Sequence, residues 1–154
     1  MKALARPETG PDHFVTVLLV SPFAEDHQSL TEIFAHTNWR LTSADTPTEA
    51  IVALRSGRHA VAICESNQQR GSWKELLDQT RAMPSQPVLI VTSAHADDKL
   101  WSEVLNLGAY DVLPKPFERQ EVVHVVGAAW LHWRSRLRMQ ERLTAEREFG
   151  ALCA

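Results

Sequence analysis

The architecture of this chain is written most plainly in residues 87–117, PVLIVTSAHADDKLWSEVLNLGAYDVLPKPF. The first six, Pro87 to Thr92, form an uninterrupted apolar and β-branched run of strand length. That is the pattern of a strand covered on both faces in a parallel sheet, because a strand with one wet face would alternate. Asp97 and Asp98 follow where acidic residues favour a helix start, Leu100, Val104 and Leu107 supply an apolar stripe, and Gly108 ends it. Asp111 to Leu113 then reads as a short strand. Strand, helix and strand in succession predict a βαβ unit.

The same rhythm extends toward the N-terminus. Val15 to Val20 (VTVLLV) is a second apolar β-branched run, followed by helical spacing of Leu30, Ile33 and Phe34 within Ala24 to His36. Arg40 to Ala44 is a short strand, and Thr46-Pro47-Thr48-Glu49 supplies an N-cap, a proline at the first helical position and a capping-box glutamate. The helix so begun stops near Gly57. Ala60 to Cys64 is the remaining strand, and Trp73, Leu76, Leu77 and Thr80 mark the helix after it. Five strands alternating with helices predict an α/β fold with a doubly wound, five-stranded parallel sheet. From Phe117 onward the chain reads as one long helix, with Val122, Val126, Ala129, Trp133 and Leu137 spaced by three or four residues past the reach of a compact domain.

Composition sets broad limits. With 154 residues, 44% of them apolar, the chain can bury a core without disulfides or metals. Its net charge of -3 gives no global attraction to nucleic acid or anionic membrane. Cys64 and Cys153 have neither metal-ligand spacing nor a secretory framework, and residues 1–13 lack the apolar core of a signal peptide. The expected organisation is a disordered leader over 1–13, a domain over 14–130 and a helical extension over 131–154, in the cytoplasm, with no membrane span.

The element order, together with PVLIVTSA over 87–94 and GAYDVLPKPF over 108–117, resembles the receiver domain of two-component response regulators over roughly residues 14 to 130. The resemblance implies the flavodoxin-like strand order 2-1-3-4-5, with an active crevice at the carboxyl ends of the strands. It implies an acidic pair that holds Mg²⁺, a phosphoaccepting aspartate, a hydroxyl and a lysine. A hard cation wants carboxylate oxygens and neutralises charge on a phosphoryl group whose oxygens the lysine and hydroxyl hold. Carried over, the acidic pair falls on Ser21 and Pro22, the phosphoacceptor on Glu65, the hydroxyl on Thr92 and the lysine on Lys115, with a cis bond expected between Lys115 and Pro116. The switch aromatic falls on Val112, and Tyr110, two residues earlier, is expected to face the same side of the strand.

Half of the set is thus altered. Ser21 and Pro22 carry no carboxylate, and Glu65, one methylene longer than aspartate, moves the nucleophilic oxygen out of register. Glu65 either imitates weakly the charge of a phosphoryl group or pairs with Lys115. Glu25 and Asp26, one turn into the first helix, are expected to point away as ordinary acidic residues near a helix N-terminus. The loop Ser66 to Trp73 lacks the family's leucine-proline pair and is about two residues short. The expectation is an atypical, pseudo-receiver module that needs no cofactor or metal and acts by protein contact rather than as an enzyme. Its partner would be a sensor kinase or an output protein. The alternative is an unconventional receiver or small-ligand sensor using Thr92 and Lys115.

The seven histidines show no metal-ligand spacing, and neither a phosphate-cradling glycine loop nor a nucleophile elbow occurs. The last helix carries Trp130, Trp133, Arg134, Arg136, Arg138 and Arg142, but Glu141, Glu146 and Glu148 alternate with them, which favours self-association over nucleic acid. Trp101, Tyr110, Trp130, Trp133 and Leu137 are the candidate interface of a homodimer.

Overall fold

A computed structural model describes residues 15–68 and 71–153. The proposed leader, 1–13, lies outside the described residues. The elements follow in the order β1 (Thr16–Val20), α1 (Ala24–Phe34), β2 (Arg40–Ala44), α2 (Pro47–Leu54), β3 (Val61–Glu65), α3 (Trp73–Arg81), β4 (Val88–Ser93), α4 (Asp98–Leu107), β5 (Asp111–Pro114) and α5 (Arg119–Cys153). The strands form one parallel sheet in the order β2-β1-β3-β4-β5. This is the doubly wound, flavodoxin-like arrangement expected from the sequence.

Local chemistry sets the element ends. Thr46 caps α2 by accepting from the Glu49 N–H, while the Glu49 carboxylate reaches back to the Asp45 N–H at 3.0 Å. Ser72 caps α3 and Asp97 caps α4 in the same way. Gly108 closes α4 at φ 98°, a left-handed conformation that a side chain would strain.

Each sheet face buries its own core. Val17, Leu19, Val61, Ile63 and Ile90 point toward α1 and α5, meeting Leu30, Phe34, Val122, Val126 and Ala129. Leu18, Val20, Ala62, Leu89 and Val91 point to the other side, against Leu54, Leu76, Leu77 and Val104 of α2, α3 and α4. Burying one such side chain fully contributes about 1.5–3 kcal/mol, so the continuous runs in β1, β3 and β4 anchor the sheet. Tyr110 and Val112 do not share a side. Val112 is buried in the second cluster, whereas Tyr110 packs against the first and stacks on His132 with ring centroids 5.2 Å apart. Tyr110 precedes the first residue of β5, where the Asp111 carboxylate accepts the Val112 N–H at 2.8 Å, so strand alternation does not reach back to it.

α5 is one continuous helix of 35 residues that runs without a break across position 130. Its first turns are clamped to the sheet. Farther along, Arg136 donates to the Gln86 carbonyl oxygen at 2.6 Å, and Trp133, Leu137 and Gln140 line a small cleft with Ser85 and Gln86.

Candidate functional site

The carboxyl ends of β1, β3, β4 and β5 open into a crevice of about 420 Å³ walled by Phe23, Asp26, Glu65, Ser93, His95 and Lys115, among others. Lys115 enters it from the end of β5, followed by a cis bond to Pro116. Its ammonium lies 2.5 Å from Glu65 Oε2 and 3.0 and 3.2 Å from the two oxygens of Asp26. The Phe23 ring covers it, 4.8 Å from centroid to Nζ. The three charged side chains are 14% (Lys115), 7% (Asp26) and 3% (Glu65) exposed, so the cluster is largely withdrawn from water. Burial of the ammonium acts to lower the Lys115 pKa, but the bonds and charges of Glu65 and Asp26 outweigh it and hold the pKa above the usual lysine value.

Asp26 therefore does not point away. The sequence places it one turn into α1, and the structure turns its carboxylate into the crevice. The altered β1–α1 turn explains how. The Ser21 hydroxyl accepts from the Phe23 N–H at 3.0 Å and donates to Asp26 Oδ2 at 2.7 Å, tying the first turn of the helix to the strand end. The Ser21 carbonyl oxygen accepts from His27 Nε2 at 2.8 Å. Pro22, on which the second acidic residue was expected to fall, lines a separate cleft with Phe23, His27 and Gln68.

Glu65 ends β3, fully engaged. Oε1 accepts from the Asn67 N–H at 3.2 Å and Oε2 faces Lys115. The Gln68 amide donates to the Val20 and Glu65 carbonyl oxygens at 3.3 and 3.2 Å, bridging the ends of β1 and β3. The Cys64 thiol beneath is pushed up to about 12 by burial, which removes it as a nucleophile at neutral pH.

The hydroxyl expected in the crevice, that of Thr92, is turned into the sheet, and that of Ser93, which the sequence reading did not consider, lines the crevice. The Thr92 hydroxyl is fully buried and donates to the Leu113 carbonyl oxygen at 2.6 Å, within the sheet. Ser93 lines the crevice instead, its hydroxyl accepting from the His95 N–H at 3.0 Å.

A divalent cation fits this set poorly. Of the three carboxylates that line the crevice, Asp26 and Glu65 are already bound to an ammonium and Glu25 stands exposed at its rim, contrary to the expectation that it points away, while the two positions expected to hold the metal are a serine and a proline. Among the described residues no group of three or more His, Cys, Asp or Glu side chains is placed to hold a metal ion.

The interface candidates are mostly spent inward. Trp130, Trp133 and Tyr110 are half-buried against the first core cluster and Trp101 against the second. Leu137 is half-buried beside Trp133. The exposed apolar side chains of α5 are Leu131, Met139, Leu143, Phe149 and Leu152, which the regular stripe in the sequence did not single out.

An open, doubly wound α/β sheet with a polar crevice over its carboxyl edge and a lysine preceding a cis proline defines the class of fold and site. The chain belongs to the response regulator receiver domain family, whose model matches residues 17–127. It is 25% identical to the signal receiver domain of an HD domain-containing protein from Pseudomonas fluorescens Pf-5, over 80% of this chain and 99% of that one, with a TM-score of 0.71. A response regulator receiver domain protein from Clostridium thermocellum superposes with a TM-score of 0.69 at 17% identity, covering 80% of this chain and 98% of its own. The chemotaxis response regulator CheY4 of Vibrio cholerae does so with 0.67 at 19% identity, covering 75% and 98%. These last two similarities attest the fold alone. No curated protein matches the chain in sequence. The chain is thus a receiver domain of signal transduction, in a family whose members are generally non-catalytic. No helix among its described residues is long and apolar enough to cross a membrane.

Proposed function

We propose that this receiver signals by protein contact, without Mg²⁺-dependent aspartyl phosphorylation. The observation that carries this reading is the Lys115 ammonium held between Glu65 and Asp26. A nucleophilic carboxylate must present a free oxygen in line with the phosphorus, and here one Glu65 oxygen is tied to a backbone N–H and the other to Lys115. The lysine that would hold phosphoryl oxygens is already satisfied by carboxylates of the same chain. The domain then holds one signalling state constitutively, and its partner, a sensor kinase or an output protein, reads that state. Self-association through α5, in the cytoplasm, completes the reading; the mixed charge of that helix argues against nucleic acid.

Incubation with acetyl phosphate and Mg²⁺, or with beryllofluoride and Mg²⁺, tests it. The expected result is an unchanged intact mass and unchanged tryptophan fluorescence. A stable phosphoryl adduct, or a Mg²⁺-dependent fluorescence change, would overturn it.

A second reading, a sensor of small anions, draws on Ser93 and Lys115 lining one crevice. It requires that orthophosphate or acetyl phosphate raise the melting temperature of the wild type and not that of Lys115→Ala.

A further inference from the structure

One side of α5 carries four residues whose spacing is the same in both directions. Arg136, Met139, Leu143 and Glu146 are spaced by three, four and three residues, so they form one stripe along the helix. Met139 and Leu143 are 53% and 46% exposed, large apolar side chains with no cover among the described residues. Arg136 and Glu146 flank them with opposite charge. Laid against itself in the antiparallel sense, with the two-fold axis at the level of Glu141, the stripe places Met139 opposite Leu143 and Arg136 opposite Glu146, twice over. Laid in parallel register, it sets arginine against arginine and glutamate against glutamate.

Arg136 makes this more than a pattern. It is half-buried, tethered through Nη1 and Nη2 to Gln86 at 3.3 and 2.6 Å, and burial lowers its pKa. Among the described residues no carboxylate pairs with it, and its Nε is buried without a hydrogen-bond partner. A half-buried guanidinium held in place and lacking a counter-charge is a ready site for a carboxylate from outside the fold. The protruding part of α5 is free to meet a partner. Beyond Gln140, the last α5 residue lining the cleft against the body, 13 residues continue to Cys153.

We propose that the partner of this face is a second copy of the chain, its α5 lying antiparallel so that Glu146 of each copy meets Arg136 of the other around a Met139–Leu143 centre. The proposal rests on the self-association part of the functional reading and adds its orientation and contacts. A two-fold axis suits it, because the same patch serves on both sides of the interface.

Light scattering on the full chain, with distances between spin labels at Ala151→Cys in a Cys153→Ser background, tests it. In the antiparallel pair the labels are separated by twice the ten residues from 151 to the axis at 141, about 30 Å at 1.5 Å rise per residue; in a parallel pair they stand about 10 Å apart. The expected result is a dimer with the longer distance, and at least a tenfold weaker dimer for Glu146→Arg. A monomer at several hundred micromolar would overturn the proposal together with the self-association reading. A dimer with the short distance would overturn the orientation alone. A long distance with Glu146→Arg dimerising as tightly as wild type would overturn the assigned face. None of these outcomes bears on phosphoryl acceptance, which the acetyl phosphate experiment reads separately.

Discussion

On the β4–β5 side of the crevice the local sequence and the geometry agree with the family: Lys115 precedes a cis proline and its ammonium reaches the centre of the site. On the β1–β3 side stand Ser21, Pro22 and Glu65, where the resemblance leads one to expect an acidic pair and an aspartate. Yet the altered side still delivers two carboxylates to the lysine, one from the end of β3 and one, Asp26, from α1. What the difference teaches is that the retained half fixes what the altered half must supply. A lysine this withdrawn from water needs counter-charge, and beside Glu65 the nearest acidic side chain that the turn can steer inward supplies it.

The largest test of this coupling is to remove the lysine. Lys115→Met leaves Glu65 and Asp26 buried side by side without a cation, and breaking a buried pair from one end costs about 3–5 kcal/mol, read as a lower urea midpoint at unchanged slope. Acidification should return part of the loss as a carboxylate takes up a proton. Mg²⁺ should stabilise this variant and leave the wild type unaffected, because only in the variant are both carboxylates free to share a divalent ion. Equal Mg²⁺ responses would show that the ammonium is not what keeps the metal out. Asp26→Asn is milder. It keeps an acceptor for the Ser21 hydroxyl and removes the charge, a loss of about 1.5–3 kcal/mol for a hydrogen bond to a charged group. If Asp26→Asn cost nothing in urea, Glu65 alone would suffice as partner.

The fold was legible because its signal is long and periodic. The unbroken β-branched runs of β1 and β4 and the Gly108 stop are local features that tertiary contacts had no reason to override. The site was legible only where one short segment holds the residue, as Lys-Pro-Phe does for Lys115. Asp26 was missed because position in a helix gives the direction of a side chain only after the docking of that helix is known; the one available signal was a serine five residues before an aspartate, spanning the turn. Tyr110 was misplaced by extending strand alternation to a residue that lies outside the strand. Glu146 is exposed and Arg136 is held by Gln86 rather than by the core, so the core-facing periodicity carries no information about either.

Titration sharpens the same comparison more gently. The Lys115 pKa is raised in the folded chain, so its contribution is fully present below the unfolded lysine value of about 10.4 and is lost as pH rises through the higher folded value. Stability measured from pH 9 to 12 should fall more steeply for wild type than for Lys115→Met. His59 behaves oppositely. Burial, with Arg58 adding to it, lowers its pKa, while its Nε2 lies 2.8 Å from the Thr42 hydroxyl. The unfolded chain therefore binds the proton first, and stability is lost as pH falls below about 6.5 toward the folded value. His59→Gln should flatten the acid limb there and leave the alkaline limb unchanged; an unchanged acid limb would remove His59 from the account.

The smallest effect separates the two adjacent hydroxyls. Thr92 is buried and bonded to the Leu113 carbonyl oxygen within the β4–β5 pairing, so Thr92→Val removes one hydrogen bond and keeps the shape, costing about 1 kcal/mol. Ser93 pairs with Pro114 in the register and lines the crevice, so Ser93→Ala changes the lining beside Lys115 while the sheet keeps its contacts. If Lys115 and its carboxylates are the only charged machinery there, neither variant should shift the alkaline limb of the stability profile. Should Thr92→Val move that limb and Ser93→Ala not, the hydroxyl coupled to the lysine would be the one inside the sheet, and Ser93 would have no part in the crevice beside Lys115.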